Sequence, residues 1–232
     1  MADIFDEVRE DLRAERVQQL LRRYGVLLVI AAVLVVLGAA AWQAWQWRDR
    51  QQANTVATTF LDAMRKSATP PAGAIATPAV AEAIQQFDQI AVTGPEGYRT
   101  LARLREAALK VSAGDLPAAL VLWDQVGADT KADPLLRDIA NLTWVQHQVD
   151  KGDPAAIEAR LAPLTNESSP WRPLAQEQQA LLALRTGNDG RARDLFKRLA
   201  QDPAAPDGVR ARAGGLLSRL GDAPPIDPGV GG

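Results

Sequence analysis

The chain has 232 residues and a mass of 24.9 kDa, room for one ordinary domain or two small ones, so a large multi-domain machine is excluded. It has no Cys and a single His, which removes disulfides, thiol nucleophiles, zinc fingers and His-cluster metal sites. With 26 basic against 28 acidic residues and a pI near 5.5, no global charge favours nucleic acid, and the 47% hydrophobic content with only 5% aromatics is the Ala- and Leu-rich profile of an all-α protein.

Residues 1–23 read as an N-terminal amphipathic helix. Asp3 is its cap, and Ile4, Phe5, Val8 and Leu12 recur at helical spacing, either as a docking face or as a lead-in to the next segment. Residues 24–47 carry no charge, and GVLLVIAAVLVVLGAAA within them has no polar side chain. A hydrocarbon core of roughly 30 Å needs about 20 apolar helical residues, so this stretch is expected to cross a bilayer once. Arg22, Arg23 and Tyr24 mark one interface; Trp42, Trp45, Trp47 and Arg48 mark the other, where amphipathic rings and snorkelling cations prefer headgroup depth.

Two other readings of the run are weaker. Ala39, Ala40 and Ala41 resemble a signal-peptide processing site, but six acids (Asp3, Asp6, Glu7, Glu10, Asp11, Glu15) precede the run alongside five arginines, unlike a short positive leader. A soluble core helix would need burial on every side over more than six turns. Five basic residues before the run and four after it (Arg48, Arg50, Arg65, Lys66) leave its orientation undecided by charge.

Residues 48–220 are expected to form stacked helical hairpins. Ala, Leu, Arg and Gln recur at period 3.6 between Gly and Pro punctuation. Gly114-Asp115, Gly152-Asp153 and Gly187-Asn188 lie 38 and 35 residues apart, the spacing of tetratricopeptide-like repeats. Each Gly is expected to supply a left-handed helix end, and the Asp or Asn after it a cap for the next helix. A small residue followed four later by a ring recurs at Ala83 and Phe87, Ala119 and Trp123, and Ala192 and Phe196, while the third hairpin carries Ile157 and Leu161. That spacing puts both residues on one face, where the small one admits the paired helix and the ring fills the gap.

The reading is four hairpins, 51–67 with 78–92, 96–113 with 115–127, 133–150 with 154–165, and 170–186 with 189–201. A capping helix at 206–220 carries Arg210, Arg212 and Arg219. SATPPAGAIATP reads as a loop, and residues 221–232 are too rich in Pro and Gly to fold.

No GxxxxGK[ST], HExxH, GxSxG or post-strand GxGxxG is present, so no catalytic, cofactor-binding or metal-binding residue is expected. His147, near Trp144 and Asp150, reads as structural or exposed, since a nucleophile such as Ser112, Ser168 or Ser218 would have to come from elsewhere. Arg191, Arg193, Lys197, Arg198, Arg210 and Arg212 lack interleaved aromatics and read as a solvated face. A sharper alternative for them is a partner- or headgroup-facing patch. Such a stack commonly binds protein along its first helices, where Arg103, Glu106, Lys110, Asn141, Gln148, Gln176 and Gln179 occupy polar positions.

The order of parts, with a leading helix, one span ending in Trp-rich sequence and an Ala-rich repeat region with GDxxxA-type turns, resembles the bacterial ancillary subunit of the SecYEG translocon. That family shares its repeat domain with a cell-division coordinator. The opening MADIFDEVREDLRAERVQQLLRRYG looks like its alphaproteobacterial branch. The resemblance implies inner-membrane anchoring, a cytoplasmic N-terminus, a periplasmic repeat domain, and association with the translocon and with periplasmic chaperones or emerging secreted chains. It brings no catalytic residue. The alternative is an envelope scaffold for cell-wall synthesis or division, although residues 51–67 are too short for the coiled coil usual in the coordinator branch.

Overall fold

The computed structural model describes residues 3–68 and 77–222; within these, the side chains of residues 3–25, 28, 49 and 222 lie outside the description. Most of the expected 67–78 loop and residues 223–232 of the expected tail also lie outside it. The described residues are helical without a strand. Helix α1 is Asp3–Ser67, α2 Pro78–Thr93, α3 Glu96–Ser112, α4 Leu116–Ala128, α5 Pro134–Gln148 and α6 Pro154–Leu161. A 3-10 turn, Ala162–Thr165, precedes α7 Arg172–Arg185, α8 Asp189–Gln201 and α9 Asp207–Asp222.

From Asp3 onward, the three segments expected at 1–23, 24–47 and 51–67 lie on one uninterrupted helix, α1. The cause is local, because the first proline is Pro70 and nothing before it interrupts the backbone hydrogen-bond ladder. Packing divides the chain into one unit through Thr55 and another from Val56. In the first unit, α1 is long and apolar enough to cross a membrane, with a mean hydropathy of 1.7 in its most apolar stretch and none of that stretch buried. Val26, Val33, Val35 and Val36 are each more than half exposed.

In the second unit each helix packs on the next in sequence, and α3, α5, α7 and α9 also touch in order. The turns explain the regularity. Gly114 (φ 83°) and Gly187 (φ 74°) adopt the left-handed conformation, which a side chain disfavours. The next N–H reaches back five residues, Asp115 to the Lys110 carbonyl at 2.8 Å and Asn188 to the Ala183 carbonyl at 2.8 Å, a Schellman closure. The same residues start the following helices: the Asp115 carboxylate accepts from Ala118 N–H at 3.2 Å, and the Asn188 side-chain carbonyl from Arg191 N–H at 3.2 Å.

Gly152 departs from the expectation, because its φ is not positive. Its N–H bonds the Gln148 carbonyl at 2.6 Å, and a Cβ there would stand 2.9 Å from both that oxygen and the Gln148 Cβ. Glycine is required here for close approach rather than for handedness. Asp153 still caps α6, accepting from Ala156 N–H at 3.0 Å.

Shifting by the turn spacings superimposes the core. Ala102, Ala140 and Ala175 fall together, as do Ala107, Val145 and Ala180; Ala119, Ile157 and Ala192; Trp123, Leu161 and Phe196; and Val126, Leu164 and Leu199, with no member more than 2% exposed. In the third hairpin Ile157 and Leu161 fill the same volume by moving bulk from the second position to the first. In the first hairpin, Ala83 and Phe87 are fully buried against Ala63 and Ala102.

Ion pairs recur at the repeat length as well. Arg160 pairs with Asp124, Arg191 with Glu158 at 2.7 Å and Arg212 with Glu177 at 2.6 Å, separations of 36, 33 and 35 residues. Each joins an element to its counterpart in the neighbouring repeat, so contacts run only between neighbours, as a quasi-one-dimensional stack requires.

Candidate functional site

On α3, Leu101, Leu104, Arg105 and Ala108 follow the i, i+3, i+4, i+7 pattern and present one face. With Phe60 of α1, Trp123 of α4 and Ile139 and Thr143 of α5, they line a groove of about 370 Å³. Its walls are held from behind. The Phe60 ring meets Phe87 edge-on at 5.3 Å and Tyr98 at 5.8 Å, and the Trp123 ring is stacked by His147 at 4.9 Å with planes 12° apart. The Thr143 hydroxyl donates to the Ile139 carbonyl at 2.7 Å, so its donor is already used. Arg105 is exposed, makes no ion pair among the described residues, and is the one charged residue lining the groove.

The residues expected to bind partners are placed elsewhere. Arg103, Glu106 and Lys110 lie on the side of α3 opposite the groove, by the 100° step of the helix. Arg103 pairs with Asp129 at 3.5 Å, and Lys110 stands 3.9 Å from Glu106. Asn141 accepts from Arg160 at 2.8 Å and lies against Gly127, where a Cβ would come within 2.7 Å of its oxygen. Arg160 also lies over the Trp144 ring at 4.1 Å. Gln148 packs under Gly152, and Gln176 and Gln179 are half-buried on α7.

Arg103, Asn141 and Gln148 serve contacts within the stack, and the groove is built from Leu and Ile positions. One signal in the sequence could have revealed it. Leu101 and Ile139 are repeat equivalents outside the core set and both line the groove, while their next counterpart, Leu174, packs against the cores of the third and fourth hairpins.

The remaining candidates are also located. Trp42, Trp45 and Trp47 are about 60% exposed, the first two meeting edge-to-face at 6.1 Å, and Arg48 is exposed; the side chains of Arg22, Arg23 and Tyr24 lie outside the described residues. Ser112 and Ser218 donate to carbonyls of their own helices, Ala108 and Gly214, each at 3.1 Å. In the basic stretch, Arg191 and Arg212 are in the ion pairs above, Arg210 pairs with Asp207, and Arg193 donates to the Leu220 carbonyl at 3.2 Å. Among the described residues no three His, Asp or Glu side chains are grouped to hold a metal ion.

Glu106 is buried, with one carboxylate oxygen unpartnered. Desolvation raises its pKa above the ordinary 4.5, the Asp88 charge adds to the rise and Lys110 opposes it. The unfolded chain releases this proton at lower pH than the folded one, so stability falls as pH rises from about 4.5 through the folded value. Glu106→Gln is therefore expected to be more stable than the parent at pH 7. The difference should shrink toward pH 4, as read by urea unfolding across that range.

Residues 18–209 match the family described as tetratricopeptide repeat-like domain. The matched range begins upstream of the apolar run, so the run and the repeats fall within one match. No curated protein and no solved structure matches the chain.

Proposed function

The chain belongs to the tetratricopeptide repeat-like domain family, and from that premise we propose a non-enzymatic, membrane-anchored protein-binding module whose binding site is the groove of α1, α3 and α5. The observation that carries this reading is the groove itself, apolar, rigidly backed and open on first helices, in a stack whose polar first-helix residues are largely engaged internally. Such repeat domains are interaction modules, and no catalytic family is indicated.

Its partners, on this reading, are the Sec translocon together with periplasmic chaperones or emerging secreted chains. The N-terminus is cytoplasmic and the repeats are periplasmic. The order of parts and the opening block support this. Twelve residues lie between Trp47 and Phe60, so the anchor keeps the groove on a short tether and raises its effective concentration for membrane-bound partners without tight intrinsic affinity.

Crosslinking followed by co-purification in mild detergent tests the reading, with an unrelated single-pass protein as control. Translocon components and secreted or chaperone proteins should be enriched over the control; equal recovery overturns the partner assignment. A reporter fused after Gly232 that is active only in the cytosol would overturn the orientation.

A further inference from the structure

We propose that the groove selects an apolar peptide segment carrying a carboxylate beside its apolar anchor, read by Arg105. This rests on the protein-binding reading above and specifies the ligand. A volume of about 370 Å³ is at the small end of ligand pockets, which run roughly 300 to 1,000 Å³, and suits a few side chains of a peptide. Phe60, Leu101, Leu104, Ala108, Trp123 and Ile139 give it apolar walls.

The charge argument comes from the groove's lining. Arg105 is the one charged residue there, is exposed and has no acidic partner among the described residues, whereas Arg103, two positions away on the opposite side of α3, is held by Asp129. The nearest acid in sequence, Glu106, faces away into the stack beside Lys110. An incoming carboxylate would therefore meet an uncompensated guanidinium with its fork of donors free, and an incoming cation would meet repulsion with nothing to offset it.

The test uses the full chain in nanodiscs and three fluorescein-labelled peptides of one length with the same Leu/Phe core, flanked by Glu, Gln or Lys. Anisotropy titration should rank them Glu, Gln, Lys. Attraction at one exposed pair and repulsion at its opposite together give about a fivefold spread, which collapses in high salt. Arg105→Glu should reverse the ranking. Arg105 is exposed, so this variant is expected to fold; Ala108→Trp, also at an exposed position, fills the groove and should weaken all three peptides at least about tenfold.

Equal affinity for the three peptides, as lipid occupancy would give, overturns the proposal, as does a ranking unchanged by Arg105→Glu. Affinity that falls as protein concentration rises marks a second copy in the groove and overturns it too. Loss of charge ranking with Ala108→Trp still blocking all peptides defeats this inference alone and leaves the protein-binding reading standing. Intact ranking without translocon crosslinks defeats the partner assignment and leaves this inference standing.

Discussion

Phe87→Ala is expected to cost about 3 to 5 kcal/mol and to abolish ligand binding, although Phe87 does not line the groove. Its ring is fully buried among Ala63, Ile90 and Ala102, and it is the edge-on partner that fixes Phe60. Truncation leaves a cavity that helices α1, α2 and α3 cannot close, and Phe60 loses its backing. Because the stack is held by neighbour contacts only, the damage should be local. Hydrogen exchange on the full chain should show protection lost across 78–112 and retained across 172–220. Uniform loss over both ranges would show that the repeats unfold as one cooperative block.

Arg212→Ala should have the second-largest effect. Glu177 is 5% exposed in its side chain and is held by two charge-assisted bonds from Arg212, 2.6 Å from Nε and 2.7 Å from the terminal nitrogen. Removing the arginine leaves a buried carboxylate without a counterion. Breaking fully buried pairs costs roughly 3 to 5 kcal/mol, and because Arg212 itself is 56% exposed, water reaches part of the site and the expected loss is about 2 to 3 kcal/mol. The hydrogen bonds to Glu177 also raise the Arg212 pKa, so the guanidinium stays charged at all working pH. The double variant Arg212→Leu with Glu177→Leu should recover more than half of the loss. Exchange should rise first in α9, the end of the stack that this pair closes. A double variant as unstable as the single would show that packing, rather than a stranded charge, carries the effect.

Several features were legible because they are local. The Gly-Asp turns, the small-then-ring pairs and the helix limits each depend on residues within one or two turns of each other, and the observed helices begin and end close to the expected positions. The role of Gly152 was not legible, since all three glycines stand directly before an Asp or Asn cap and the close approach of Gln148 arises only in the folded turn. The join between α1 and the first hairpin was hidden by a composition change at Arg48 that alters the side-chain surface and leaves the backbone helical.

The groove was not legible in the sequence for a physical reason. Polar residues on a helix are taken as exposed, yet Glu106, Asn141 and Arg103 are used for pairing inside the stack. Leu101 and Ile139, whose residue type alone does not separate a lining position from a core one, line an opening. The Glu177 and Arg212 pair, 35 residues apart, becomes visible only once the repeat length is known and the second partner is searched for one period away.

The central claim, that proteins are bound at the groove of α1, α3 and α5, is tested most directly by a photo-crosslinking residue placed at position 108 in the groove and, separately, at position 121 on the exposed face of α4. In intact cells the account predicts protein adducts at position 108 that are absent from position 121 and that Arg105→Glu alters. Adducts of equal yield at both positions, or only lipid or a second copy of the chain captured at 108, would contradict it.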